Sequence, residues 1–332
     1  QTVWLESVPQ NYIRSLHVTP LFDAHQVEIT VEGEGQCMID LEGKRFTFPA
    51  GVPAHVPVQS FRPWSPEHPT LYPFSVTLGD DTVYSYFAMR KCSVETDKDG
   101  VRRLYKGSSD DHGEYGEARA EFLASQIAEA MGLNAVHYGL ARWDAATQNV
   151  CCTCDCFCTP EVSYVPQALA FGQSSHTAAV KSYLRWGLPH FEDYASMMVF
   201  DALIYNTDRH LTNFGVLRNS RTGELLDMAP VFDNGRSLFF NLAFDQVDSF
   251  PNEAQFVLPS WPQVTFDEQA ARLIGPRQKE QLTALGDFSF ANCEQHPFPE
   301  IFLEKLAGHV RRRAEELATL PDVSREELLA RC

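Results

Sequence analysis

Basic residues are scarce in this chain: 27 Lys and Arg stand against 44 Asp and Glu, a formal net charge of -17 over 332 residues. That balance opposes binding to a phosphate backbone. The densest basic run, "HVRRRAEE" around Arg311, reads as one turn of a surface helix, so no direct nucleic-acid partner is expected. Long apolar runs are missing too. "MMVFDALIY" is interrupted by Asp201 and falls far short of the ~20 residues a membrane span needs. No apolar stretch near Gln1 has the form of a signal peptide. Internal repeats are absent. The nine cysteines are odd in number and five of them fall between Cys151 and Cys158, a poor disulfide framework for a chain of this length. A reducing, cytoplasmic setting is expected.

What is present is a 44% hydrophobic content, enough for a sizeable core. Residues 25–58 alternate with a period of two in "HQVEITVEG", "QCMIDLEG" and "KRFTFPAG", with glycine turns between, which predicts a small antiparallel meander. "SFRPWSPEHPTLYP" carries four prolines and no periodicity and reads as a surface linker. "SVTLGDDTVYSYFAMRKCSVE" and "VRRLYKG" then read as strands joined at "TDKDG". From Glu117 the period changes: Ala120, Leu123, Ala124, Ile127, Ala130 and Met131 recur at three and four, and Gly132 stops the run. Strands return at "NAVHYGLARW" and "NVCCTCDCFC". A second helix, "FEDYASMMVFDALIYN", follows, and from about Phe266 the chain is mostly helical. β-rich first and α-rich second is the α+β order.

The second helix leads into "NTDRHLTNFGVL", which gathers Asp208, Arg209, His210 and Asn213 within six residues. A turn needs one or two polar residues, not a carboxylate, a guanidinium, an imidazole and an amide together. Phosphoryl transfer from ATP asks for a carboxylate at the attacking hydroxyl, an amide and a second carboxylate for magnesium, and a lysine on the phosphates. Asp208 is the candidate base, and Asn213 follows it at the spacing of a kinase catalytic loop. The strand "FGVLRN", the turn "SRTGE" and the strand "LLDMAPVFDNG" form a hairpin that returns Asp233 beside Asn213 as a second metal ligand. Upstream, Lys106 ends the strand "RRLYK" and Glu121 lies fifteen residues on, a strand lysine and helix glutamate of the kind that fixes ATP phosphates.

"NTDRHLTNFG" followed by "MAPVFDNG" resembles the HipA-like serine/threonine kinases of bacterial toxin–antitoxin systems, and "AEFLASQIAEAMGL" resembles that family's segment after the phosphate-binding lysine. The resemblance spans roughly residues 100–320. It implies a bilobal protein-kinase-like fold with a β-rich small lobe over 71–165 and a large helical lobe over 166–332; residues 1–70 match no part of the family and read as a β-rich module, either an extra strand module of the small lobe or a partner-binding surface. It implies ATP and Mg2+ as cofactors, a protein Ser/Thr hydroxyl as acceptor and an antitoxin-type partner. Asp208 then looks like the catalytic aspartate, Asn213 and Asp233 the magnesium ligands, Lys106 the ATP lysine and Glu121 its partner. Phe157 and Cys158 fall at the interlobe hinge and border the adenine pocket. The family's phosphate-binding loop has no clear counterpart: "TLGDDT" around Gly79 and "KGSSDDHGEYG" are the two candidates.

Other readings stay open on the same residues. "D-R-H-x-x-N" followed by Asp also resembles phosphatidylinositol kinases, although an acidic chain is ill suited to a membrane-facing lipid kinase. A small-molecule kinase, or a silent pseudokinase serving as a binding module, are further alternatives. His210 either contacts phosphate or orients the loop. Arg209 either meets an activation-segment phosphate or makes an ordinary surface ion pair. Cys152, Cys154, Cys156 and Cys158 alternate, so a strand places four sulfurs on one face. One rigid strand cannot wrap them round a tetrahedral zinc, and they read as small buried residues.

Overall fold

The computed structural model describes residues 8–22, 24–62, 70–89, 92–96, 100–107, 116–142, 150–172 and 175–330. The chain is α+β and divides into two compact units, Gln1–Cys92 and Ser93–Cys332.

The first unit is built from β1 (Ser15–Leu21), β2 (Gln26–Glu32), β3 (Gln36–Leu41), β4 (Lys44–Pro49), β5 (Ala54–Pro57), β6 (Tyr72–Leu78) and β7 (Asp81–Phe87). They form two antiparallel sheets, ordered β1-β2-β5 and β4-β3-β6-β7. Alternation turns Val27, Ile29 and Val31 of β2, Ile39 and Leu41 of β3, and Phe74, Val76 and Leu78 of β6 into one shared core. The expected single meander over 25–58 is therefore corrected. β2 and β3 lie in different sheets, and the chain changes sheet through Gly33 and Gly35, the latter at φ +110. The proline stretch is not a boundary either, because it joins β5 to β6 inside this unit; its residues 63–69 lie outside those described. β6 is bound to β3 with Val76 opposite Ile39, so the division falls after Cys92 rather than after residue 70. "TLGDDT" is the β6–β7 hairpin turn of this unit.

In the second unit β8 (Cys92–Thr96), β9 (Arg102–Gly107), α1 (Gly116–Ala130), β10 (Gly139–Arg142) and β11 (Val150–Asp155) come first. Their sheet runs β10-β11-β9-β8. The strand expected over "NAVHYGLARW" shrinks to β10 and an isolated bridge from Ala135 to Val231. The cysteine strand also ends early, at Asp155, where Cys156 gives its N–H to the Arg102 carbonyl and the alternation stops. Cys151, Cys152 and Cys154 are buried and Cys156 and Cys158 half-buried. Next come β12 (Val162–Pro166), α2 (Gln167–Ala170), α3 (His176–Trp186), α4 (Leu188–Ile204), β13 (Gly215–Asn219) and β14 (Leu225–Met228), the three strands forming an antiparallel sheet. The remainder holds α5 (Phe250–Glu253), α6 (Phe266–Ala271), α7 (Pro276–Thr283), α8 (Glu300–Ala318) and α9 (Arg325–Ala330). No helix among the described residues is long and apolar enough to cross a membrane.

α4 is the central helix of this unit. All its residues from Tyr194 to Ile204 are buried, which is why its sequence is apolar nearly all round. It stops where Tyr205 turns left-handed at φ 55 and gives its N–H to the Asp201 carbonyl. The loop that follows carries Asp208 and Asn213.

Candidate active site

Three elements bring Lys106, Glu121 and Asp233 together. β9 supplies Lys106, held opposite Cys152 of β11 in the sheet register. α1 supplies Glu121 on its buried face, and the segment after β14 supplies Asp233 at a left-handed φ of 57. Lys106 Nζ donates to Glu121 Oε1 at 3.2 Å and to Asp233 Oδ1. Glu121 Oε2 accepts the Asn234 backbone N–H at 2.7 Å, so the glutamate clamps the lysine and the backbone of the Asp233 segment at once. Close approach of that loop to α1 requires Gly235, where an added Cβ would stand 3.1 Å from both the Glu117 Cβ and its carbonyl. Arg236 closes the same contact with an ion pair to Glu117 at 3.2 Å.

Burial pulls the Lys106 ammonium down, but the Asp233 and Glu121 carboxylates outweigh it and hold the lysine charged, well above its usual range. Burial, reinforced by Asp233, pushes Glu121 up to about 7 against the pull of Lys106.

The loop from Asn206 to Phe214 is tied down from below by Arg209. Far from a surface or phosphate-seeking group, Arg209 is buried. It meets Asp201 of α4 in a two-pronged pair, Nε to Oδ2 at 2.9 Å and Nη2 to Oδ1 at 3.0 Å. Its remaining donors reach the Asn213 carbonyl at 2.8 Å, the Phe232 carbonyl and Asn234 Oδ1. One guanidinium thus joins the helix, the Asp208 loop and the Asp233 segment. Asn206 adds a second tie: its Nδ2 donates to Asp201 Oδ1 at 3.0 Å and its Oδ1 accepts from the Asp208 N–H at 3.0 Å. Asp201, Asn206 and Asn234 were not singled out in the sequence. The signal for Asp201 was there, the one charged residue in the buried stretch from Tyr194 to Ile204, which demands a partner.

Asp208 is partly open, with 23% of its side chain exposed, and burial pushes its carboxyl up while His210 opposes. His210 Nε2 lies 3.9 Å from Asp208 Oδ1 and Nδ1 is 2.8 Å from the Thr212 hydroxyl. The imidazole is anchored within the loop, with half its surface open. Asn213 spends its Nδ2–H on the Asp208 carbonyl at 2.9 Å, which leaves Oδ1 as its acceptor. Phe157 packs against Phe232 and Tyr164, with ring centroids 5.6 and 6.0 Å away, on the segment that joins β11 to β12. Cys158 sits half-buried on that segment, and burial raises its thiol. Of "KGSSDDHGEYG", residues 108–115 lie outside those described.

Taken together, these side chains present a fixed cation beside two carboxylates and, on the adjoining loop, a partly open carboxylate next to a free amide oxygen. The oxygen donors, Asp233 and Asn213 Oδ1, are the hard ligands that a magnesium ion prefers.

Residues 19–90 match the family described as "Glycosyl hydrolases family 2"; the match lies inside the first unit and includes none of the residues above. No curated protein sequence matches the chain. Among solved structures the chain is similar to the proinflammatory kinase CtkA of Helicobacter pylori, at 16% identity and a TM-score of 0.48, over 72% of this chain and 96% of that one. It is also similar to HipA of Shewanella oneidensis MR-1, solved with HipB and operator DNA, at 11% identity and a TM-score of 0.36, over 67% of this chain and 61% of that one.

Proposed function

We propose that the second unit is a kinase of HipA-like type that transfers the γ-phosphoryl group of ATP, with Mg2+, to a serine or threonine hydroxyl of a protein. The observation that carries this reading is the junction of Lys106, Glu121 and Asp233, drawn from a strand, a helix and a hairpin and linked through Arg209 to the loop of Asp208 and Asn213. Phosphoryl transfer needs positioning and charge neutralisation more than covalent chemistry, and a site locked by a buried guanidinium supplies positioning.

In this reading the bilobal kinase arrangement spans the sheets on either side of the Phe157–Thr159 segment. Lys106 faces the phosphates with its charge secured by two carboxylates. Asp233 and Asn213 Oδ1 hold Mg2+, which when bound neutralises phosphate charge. Asp208 orients the acceptor hydroxyl and takes its proton; its raised affinity for protons suits that task. His210 keeps the loop in register through Thr212. Phe157 and Cys158 border the adenine. An antitoxin-type protein partner and a cytoplasmic setting belong to the same proposal and rest on the motif resemblance.

Purified protein incubated with γ-labelled ATP and Mg2+ tests it. Label is expected on serine or threonine of the protein itself or of added cell protein. Label on lipid would move the acceptor to an inositol hydroxyl, and ATP binding without any transfer would sink the enzyme reading.

A further inference from the structure

The peptide plane between Phe232 and Asp233 is gripped at both ends. Its carbonyl accepts from Arg209 Nη1, and its N–H donates to the hydroxyl of Tyr138 at 3.3 Å. One residue on, the Asn234 N–H is held by Glu121. Three side chains from three parts of the fold thus fix the backbone on either side of Asp233. Tyr138 is the one uncharged member of the three.

The register of the chain brings Tyr138 there. After α1 the backbone runs beside Val231: the Val136 N–H donates to the Val231 carbonyl, the Val231 N–H to the Asn134 carbonyl, and Ala135 forms a parallel bridge with Val231. Parallel segments advance together, so a little further on Tyr138 comes level with Asp233. α1 ties it from another side, where Ser125 Oγ accepts the Tyr138 backbone N–H at 3.4 Å. Burial, and after it the Glu121 carboxylate, push the phenol well above its usual range, so it keeps its proton and meets the Asp233 N–H as a neutral hydroxyl.

The grip bears on where the carboxylate points. Asp233 stands at φ 57, a left-handed backbone that most side chains avoid. The angle φ is the rotation about the N–Cα bond, and the peptide plane ahead of the residue is the frame from which it is set. With the carbonyl and the N–H of that plane both tied, the Cα–Cβ direction of Asp233 is fixed. With one tie gone the plane can rock about the other, and the direction of the carboxylate spreads.

We propose that Tyr138 is a positioning residue for Asp233: its hydroxyl holds the peptide plane ahead of the aspartate and so fixes the direction of the carboxylate assigned to Mg2+. The metal rests on the kinase reading, whereas the hold on the backbone rests on geometry alone.

Tyr138→Phe removes the hydroxyl and keeps the ring. Residue-resolved amide exchange on the full chain, with calorimetric titration of ATP in the presence and absence of Mg2+, tests the assignment. In the variant the Asp233 amide is expected to exchange about 3- to 10-fold faster, the effect of losing one ordinary hydrogen bond. Amides of α4 should keep their protection, which shows that the fold is retained. The gain in ATP affinity that Mg2+ brings should shrink by a similar factor, while binding without Mg2+ stays as in the wild type. Unchanged exchange at Asp233, or faster exchange with the Mg2+ gain intact, overturns the assignment. A wild type whose ATP affinity ignores Mg2+ defeats the kinase reading instead, and exchange at Asp233 then decides by itself whether Tyr138 holds the segment.

Discussion

The interiors of the two units differ in kind. Among the described residues, the buried side chains of the first unit are apolar, whereas every buried polar or charged one, from Glu117 to Arg313, lies in the second. The first interior follows from alternation alone. The second holds Glu121, Asp201, Asn206, Arg209, Asn213 and Asn234 against the expense of desolvation, and these are the residues that converge on Asp208 and Asp233. Buried polarity is concentrated in the second unit, around the side chains to which the proposed transfer is assigned.

The sharpest way to test that contrast is to remove charge from the site and look for a loss of transfer larger than the loss of folding. Asp208→Ala is expected to lower phosphotransfer by ~10²–10⁴ while ATP still binds with Mg2+. Asp233→Asn should lose at least as much, through the magnesium-dependent part of ATP binding; asparagine tolerates the left-handed backbone there, so shape is kept. Calorimetric titration of ATP with and without Mg2+ separates the two, and normal metal dependence in Asp233→Asn would contradict its assignment.

Next in size comes the guanidinium hub. Arg209→Met leaves Asp201 buried and unpaired and is expected to cost about 3–5 kcal/mol in urea unfolding. Combining it with Asp201→Leu should recover much of that, because the orphan charge is gone. If the single and double variants were equally unstable, Arg209 would be acting as packing volume and not as a charge partner.

A smaller effect appears in pH dependence. The Glu121 carboxyl, pushed up to about 7 from an ordinary 4.5, binds protons more tightly in the native protein than in the unfolded chain. Between those values the native state holds more protons, so its stability falls as pH rises, with a slope approaching ~1.4 kcal/mol per pH unit for one proton. Glu121→Gln should flatten that stretch of the curve.

The smallest test compares ordinary packing in each unit. Cys154→Ser places a hydroxyl at an 8% exposed position opposite Leu104 and is expected to cost ~1–3 kcal/mol. Ile39→Val in the first core should cost ~0.5–1.5 kcal/mol. Thermal denaturation of both, with phosphotransfer measured alongside, should show stability moving and transfer unchanged.

These outcomes also bear on what could be read from the chain before its structure. The meeting of Lys106 with Glu121 and Asp233, and the sharing of one loop by Asp208 and Asn213, were legible because each residue is fixed to a local element, so order and spacing carried the arrangement. The Asp201–Arg209 pair was not: its two residues are eight apart across a helix end, and nothing in their spacing separates a buried pair from a solvated one. Strands of the first unit could be seen in their alternation, but the pattern is the same whichever strand lies alongside. It showed β2 and β3 without showing that they belong to different sheets. The cysteine run misled in the opposite way, since alternation continued in the sequence after the strand had ended at Asp155.

At Gly215 the geometry bears on how variation in this chain should be interpreted. A Cβ there would stand 2.1 Å from the Val165 carbonyl oxygen and 2.9 Å from the Pro166 Cα. Both obstacles are backbone and neither can swing aside. In a library of random variants screened only for folding, position 215 would stay glycine, while Asp208 and His210 would drift. A second library screened for transfer would freeze all three. Invariance at 215 reports the gap between two strands, whereas invariance at 208 is expected only under selection for the proposed transfer.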